Sequence, residues 1–222
     1  MNTIRIISLL LAAVLFSSCK QSPTEGPNEI GGDVNITINS IGNDFSPSVL
    51  VGTSYLSIKD SMYITKNDNG LVTYRVWADL SKYPQLKAIL PANRLDTGGN
   101  LNSTIHLKVT SEGIQDYRLS KSDFTKPFTI VKYDCSVGDS WSYTTTDGKT
   151  ITRTVTQKST TDDFNYGFML IKTNTTVENN VTDLNGVKSI RYVTNHKFGL
   201  VQIVAVLTDN SEIKITLFPS HY

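Results

Sequence analysis

From Val34 onward the chain is written almost entirely in period two. Short runs dense in Thr, Val, Ile and Tyr are broken by Asn, Asp and Gly, with almost no apolar spacing at helical intervals. Successive side chains of a strand point to opposite faces, so this alternation predicts antiparallel β structure. Candidate strands cover 34–39, 53–65, 71–79, 103–110, 113–119, 127–134, 140–146, 149–157, 166–177, 187–194, 199–208 and 212–218. The expected fold is mainly β: a single antiparallel β domain of about 10–12 strands, either a curved sheet or half-barrel, or a sandwich. One short helix is expected near 81–90, where Leu86 and Ile89 lie three apart and Pro91 is a stop.

The breaks between runs carry their own information. Asp68-Asn69-Gly70, Asp147-Gly148, Asn185-Gly186 and Asp209-Asn210 supply residues that tolerate a left-handed backbone, so neighbouring strands should pair as sequential hairpins. The run from Leu200 to Leu207 is apolar on both faces, which predicts a strand covered on both sides. Ile213, Ile215 and Leu217 alternate with Lys214 and Thr216, so the following strand buries one face only and is expected nearer the outside of the sheet.

The stretch VGDSWSYTTTDGKTITRTVTQ, residues 137–157, shows how register follows from burial. A two-residue Asp147-Gly148 loop would put Trp141 and Tyr143 on one face and Ile151 and Val155 on the other. A three-residue loop, Thr146-Asp147-Gly148 with Gly148 left-handed, sets Tyr143 opposite Ile151 and Trp141 opposite Arg153. All four apolar groups then share one face, and Ser142, Thr144, Thr150, Thr152 and Thr154 share the wet one. Burying Ile151 and Val155 is worth about 1.5–3 kcal/mol each, more than the choice of turn, so the three-residue loop is predicted.

The first eighteen residues read as a cleaved signal peptide: one cation at Arg5, an apolar run from Ile6 to Phe16, then Ser17 and Ser18. The run is shorter than the roughly 20 residues that a membrane-spanning helix needs. Leu15-Phe16-Ser17-Ser18-Cys19 resembles the lipobox of bacterial lipoproteins, with Phe16 where Leu is commonest. The resemblance implies acylation of Cys19 and a membrane anchor that needs no spanning helix. Lys20-Gln21 lacks the aspartate linked with inner-membrane retention, so the outer membrane is expected, on its periplasmic or surface face. Residues 19–33, rich in Pro, Gly and charge, read as the lipidated cysteine and a flexible tether, and 34–222 as the β domain, with a candidate sub-boundary near 119–127.

Removal of residues 1–18 takes one cation, Arg5, from the 21 basic residues and leaves 20 against 20 acidic ones. A neutral chain without a Lys/Arg cluster gives no electrostatic footprint for nucleic acid or for an anionic membrane surface, so neither partner is expected. With Cys19 acylated, Cys135 has no intramolecular disulfide partner and reads as a small packed residue.

Catalytic signatures are lacking. His106, His196 and His221 are far apart and in no metal-binding spacing, with His106 read as solvated, His196 as part of a turn and His221 as frayed. No Gly-x-Ser-x-Gly elbow, phosphate-cradling loop or Cys-x-x-Cys pair occurs. Asp162-Asp163 reads as a solvated loop, and Asp96 to Asn102 as a polar turn without the alternating acids of a calcium loop. No catalytic residue, metal site or cofactor is assigned. Each tryptophan reads first as a core residue of its strand, and Trp77, Trp141 and Tyr143 are kept as the candidate ligand-facing aromatics. Asp60-Ser61-Met62 is similar to a three-residue O-glycosylation signal of some Gram-negative lineages, making Ser61 a candidate acceptor.

Val137-Gly138-Asp139-Ser140-Trp141-Ser142-Tyr143, followed by Phe198-Gly199-Leu200-Val201, resembles a pattern in β-rich lipoproteins of Gram-negative bacteria, over roughly 128–218. The resemblance implies a strongly curved antiparallel sheet similar to the half-barrels of periplasmic lipoprotein carriers, and brings no catalytic residues. The expected function is that of a monomeric, membrane-anchored envelope lipoprotein binding a partner protein or a glycan. The alternatives are a carrier holding an acyl chain in the concave face of the sheet and, third, a glycan-active hydrolase with carboxylates assembled from distant strands.

Overall fold

The computed structural model describes residues 28–120 and 123–222. The candidate signal peptide and Cys19 lie outside the described residues. Fifteen strands form: β1 Asp44–Val51, β2 Ser54–Leu56, β3 Asp60–Asp68, β4 Leu71–Ala78, β5 Leu101–Val109, β6 Gly113–Asp116, β7 Phe128–Lys132, β8 Ser140–Thr144, β9 Thr150–Lys158, β10 Phe164–Tyr166, β11 Met169–Ile171, β12 Asn174–Asn179, β13 Val187–Asn195, β14 Gly199–Leu207 and β15 Glu212–Pro219. Among the described residues the one α-helix, α1, spans Pro84–Ile89, inside the stretch expected from Leu86, Ile89 and Pro91.

Thirteen strands make one antiparallel sheet in the order β7-β6-β5-β4-β3-β1-β15-β14-β13-β12-β9-β8, with β2 beside β1. It curls until it is nearly closed into a barrel. Its first and last members, β7 and β8, are consecutive in sequence, and the gap between them is the seam. Of the two architectures expected, the curved sheet forms and the sandwich does not. We call the end where β1, β8 and β14 begin the lower end, and the opposite one the upper end.

The main core fills the interior with, among others, Phe45, Tyr74, Phe128, Trp141, Val155 and Ile190. Leu80 and Leu86 pack with Val49, Ala78 and Ile213 in a second cluster beside α1 at the upper end. Tyr166, Ile171, Val193, Phe198 and Val201 form a third beneath the β10–β11 hairpin. The β14 strand serves all three clusters, since Leu200 and Ile203 pack on the main core, Ala205 and Leu207 also reach the second and Val201 belongs to the third, as its two-faced apolar pattern predicted.

The β8–β9 hairpin takes the predicted register. Tyr143 pairs with Ile151 and Trp141 with Arg153, and Thr145 and Lys149 close the three-residue loop. Gly148 is left-handed at φ 81°. Trp141, Tyr143, Ile151 and Val155 are buried, whereas Ser142, Thr144, Thr150 and Thr152 are exposed.

Several expectations are corrected. Residues 34–39 are not a strand: they pass beneath the barrel and make a 3-10 turn at Thr37–Asn39 that buries Ile38. Asn39 Nδ2 donates to Val109 O at 2.9 Å, which replaces a sheet ladder with a side-chain tie. The expected 53–65 strand breaks into β2 and β3. The 166–177 strand breaks into three pieces, and Gly167, at φ 61°, turns the chain back at the first break. β1 was not expected, because Pro47 interrupts its apolar run. Pro47 sits where β1 is paired only with β15, and a strand with one neighbour tolerates a missing N–H. β15 is flanked by β14 and β1 and is not near an edge. In a curled single sheet an outer face that no other element covers meets solvent even on a central strand, so one-sided burial does not mark an edge. His221 is not frayed: its N–H donates to Asn43 Oδ1 at 3.1 Å and its carbonyl accepts from Asn43 Nδ2 at 2.9 Å.

Candidate functional site

Register alone places Arg153 on the buried face of β9, and burying a guanidinium demands partners. Arg153 has no solvent exposure. Its Nε donates to Glu178 Oε2 at 2.9 Å, and Glu178 is its cross-strand neighbour on β12. Its Nη2 donates to Asp116 Oδ2 at 2.7 Å and to the Tyr192 hydroxyl at 3.2 Å. Its Nη1 donates to the backbone carbonyls of Phe128, at 3.1 Å, and Thr129. The guanidinium lies 3.9 Å from the centroid of the Phe128 ring and 4.8 Å from that of Tyr192. Arg118 extends the cluster by pairing with Glu178 and with the partly exposed Asp183.

These contacts cross the seam. Asp116, Phe128 and Thr129 belong to the β6–β7 edge, whereas Arg153, Glu178 and Tyr192 belong to the side that ends in β8. Asn28 bridges the same gap from outside: its Oδ1 accepts from Thr129 N at 3.1 Å and its Nδ2 donates to Ser142 O at 3.1 Å. Its carbonyl also accepts from Gln115 Nε2. Residues 28–33, read from composition as tether, are therefore tied to the barrel, with Asp33 and Ser111 bonded in both directions.

The cluster is unsuited to proton transfer. Burial alone would raise the Glu178 pKa, but Arg153 and Arg118 outweigh it and hold the carboxyl below its ordinary range. A general acid needs a pKa tuned up toward neutrality and a route to substrate. Glu178 has neither: it is fully buried and accepts bonds from two arginines and a tyrosine. The cluster acts as an electrostatic bolt.

A cavity in the interior measures about 20 Å³ and is lined by apolar groups such as Ile38, Phe45 and Met62. Ligand pockets run to roughly 300–1,000 Å³.

Of the aromatics singled out in sequence, Trp141 and Tyr143 are core, only 6% and 8% exposed. Both lie in the main cluster, the core role that each alternating strand allows. Trp77 is half-buried, belongs to no core cluster, and stands on the outer face of β4. Its cross-strand neighbours are Ser61 on β3 and Asn102 on β5. Two residues along, the exposed Arg75 sits between the exposed Tyr63 and Thr104. Ser61 is exposed.

The remaining candidates are scattered. His106 packs its ring 4.9 Å from that of Phe124, and burial followed by the Arg94 charge lowers its pKa. His196 is exposed near the lower end. Cys135 is free and buried, and burial raises its thiol pKa. Among the described residues no three His, Cys, Asp or Glu side chains converge as a metal set. Asp96 closes its own turn, with Oδ1 accepting from Asn100 N at 2.9 Å. Sequence reasoning missed the bolt, although one signal was present: the predicted register puts Arg153 opposite Trp141, on the apolar face.

Fold and seam together define a single-sheet antiparallel β barrel closed by an ion-pair cluster. No family model matches the chain, and neither a curated protein nor a solved structure is significantly similar to it.

Proposed function

We propose that this protein is a lipid-anchored lipoprotein of the cell envelope and a non-catalytic module that binds an envelope glycan on the outer face around Trp77. The observation that carries this reading is the division between the two tryptophans. Trp141 is consumed by the core, while Trp77 is kept on the solvent face with Tyr63, Arg75, Asn102 and Thr104 around it. An indole presents a flat apolar face to the C–H surface of a sugar ring, and amide, hydroxyl and guanidinium groups match its hydroxyls. A carrier of acyl chains would need an apolar cavity many times larger than 20 Å³. A hydrolase would need a carboxyl released from arginine, which Glu178 is not.

Pelleting with purified peptidoglycan sacculi and with envelope polysaccharide tests the binding. Trp77→Ala and Arg75→Ala should each weaken retention without unfolding the barrel. Ser61 is the O-glycosylation candidate on this face, and a sugar there would lie against Trp77. Intact-mass measurement of native protein beside Ser61→Ala reads that modification directly. The anchor is tested by fractionation: Cys19→Ala should leave the membrane fraction, and retention there would place the anchor elsewhere.

A further inference from the structure

Six of the ten large apolar side chains exposed among the described residues, namely Ile41, Val137, Phe168, Met169, Leu170 and Tyr222, lie at the lower end of the barrel. Three of them are consecutive and crown the β10–β11 hairpin. Tyr166 and Met169 pair across the two-residue turn Gly167-Phe168, and Phe168 is fully exposed. The base of the hairpin is held firmly. The Tyr166 ring lies 5.1 Å from Phe198 and 4.9 Å from Phe218, and its hydroxyl donates to Leu217 O. One aromatic residue thus secures the hairpin to the sheet, and nothing in the folding of the barrel requires the apolar tip beyond it. Contiguous exposed apolar groups mark an interaction site.

Beside this hairpin lies a polar cleft of about 130 Å³ lined by Lys158, Ser159, Lys172, Thr173, Asn174, Thr194, Asn195 and His196. Lys172 immediately follows β11, and Lys197 holds its Nζ 4.9 Å from the Tyr222 ring. Asp162 and Asp163 lie on the loop entering β10, where Asp163 Oδ1 accepts from the Ser159 hydroxyl at 2.6 Å. Lys158 Nζ donates to Cys135 O at 2.6 Å, so the lower end joins a protruding apolar wedge to Lys172 and Lys197.

We propose that the lower end docks on the surface of a lipid bilayer, with Phe168, Met169 and Leu170 inserted at the boundary of headgroups and acyl chains and Lys172 and Lys197 facing anionic headgroups. Apolar insertion beside cations is how interfacial segments hold a membrane. A protein partner is disfavoured by shape, because a stable protein interface covers roughly 800 Å² per side, far more than three residues on a projecting turn. The placement rests on acylation of Cys19. Asn28 lies nine positions beyond Cys19, a reach of at most about 30 Å, so the anchor holds the barrel close enough for its lower end to touch the bilayer.

The test uses the full-length lipidated protein reconstituted in phosphatidylcholine vesicles with and without phosphatidylglycerol. An environment-sensitive fluorophore is attached at Asn165→Cys, beside the tip, or at Thr146→Cys, in the exposed loop of the upper end. Docking predicts several-fold quenching of the Asn165 probe by nitroxide-labelled lipid in vesicles with phosphatidylglycerol. It predicts little quenching of the Thr146 probe, and loss of the effect in Phe168→Asp. Equal, weak quenching at both positions in protein that floats with the vesicles would overturn the docking while leaving the anchor intact. A blue shift at Asn165 without nitroxide quenching would mean contact with protein and would also overturn it. The same measurement on Cys19→Ala separates the two ideas: loss of flotation supports the anchor, whereas flotation with quenching retained shows that the tip binds the bilayer without it.

Discussion

Arg153 Nε donates to Glu178 Oε2 over 2.9 Å, and neither side chain has any solvent exposure. The two residues face each other on β9 and β12, yet the pair does more than join neighbours. The other nitrogens of Arg153 reach Asp116, Phe128 and Thr129 across the seam, so the barrel is closed by side-chain charge where backbone pairing stops.

Removing the cation should therefore be costly. Arg153→Met leaves Glu178 and Asp116 buried without their partner, and the expected loss is about 3–5 kcal/mol in urea unfolding. Arg153→Met combined with Glu178→Gln should cost less than the sum of the two single changes, because the residues are in direct contact. Additive losses would mean that the bond carries no coupling.

Acid should weaken the same bolt. The Glu178 pKa in the folded chain lies below its ordinary value of 4.5. Its contribution to stability is therefore complete above the unfolded value and is lost as pH falls through the folded one. Thermal melts in acid should show wild type losing stability below that ordinary value and Glu178→Gln, already less stable at neutral pH, losing less over the same interval.

Asn28 is the outer latch of the seam. Truncating it to Ala removes side-chain bonds to Thr129 N and Ser142 O, a cost of about 1–2 kcal/mol. Hydrogen exchange at the Thr129 amide should accelerate in the variant while exchange in central β14 is unchanged.

Gly148 tests the turn. At φ 81° with no atom within 4 Å of an added Cβ, substitution by Val meets no steric neighbour and pays only for backbone strain. Gly148→Val should cost about 1–2 kcal/mol, measured as a shift in the urea midpoint, and Gly148→Asn clearly less.

How far the fold can be read from the sequence depends on how local the deciding forces are. The β8–β9 register was legible because Gly148 and the alternation on either side of it lie within a score of residues. The same register put Arg153 on the buried face. Its partner Glu178 was not legible, because β9 pairs with β12 past the intervening β10–β11 hairpin, and no local pattern announces a pairing that skips two strands. Asp116 and Phe128 lay beyond reach for a related reason: they meet Arg153 only when the curling sheet brings its two ends together. The crossing segment at 34–39 alternates like a strand, but Asn39 and Asn43 tie it to the ends of other elements through side chains. Trp77 was the easier tryptophan in retrospect, since Val72 and Tyr74 take the inner face of β4 and leave Trp77 with Thr73 and Arg75 outside.

The most direct measurement compares the two tryptophans in one experiment, reading thermal stability and sacculus binding together. Trp77→Ala should keep the melting temperature near that of wild type and lose most binding. Trp141→Ala should lose about 3–5 kcal/mol of stability as a core truncation and retain binding in whatever fraction stays folded. If Trp77→Ala binds as well as wild type, or if Trp141→Ala melts normally and no longer binds, the outer face of β4 is not the binding surface and the division between the two residues is wrong.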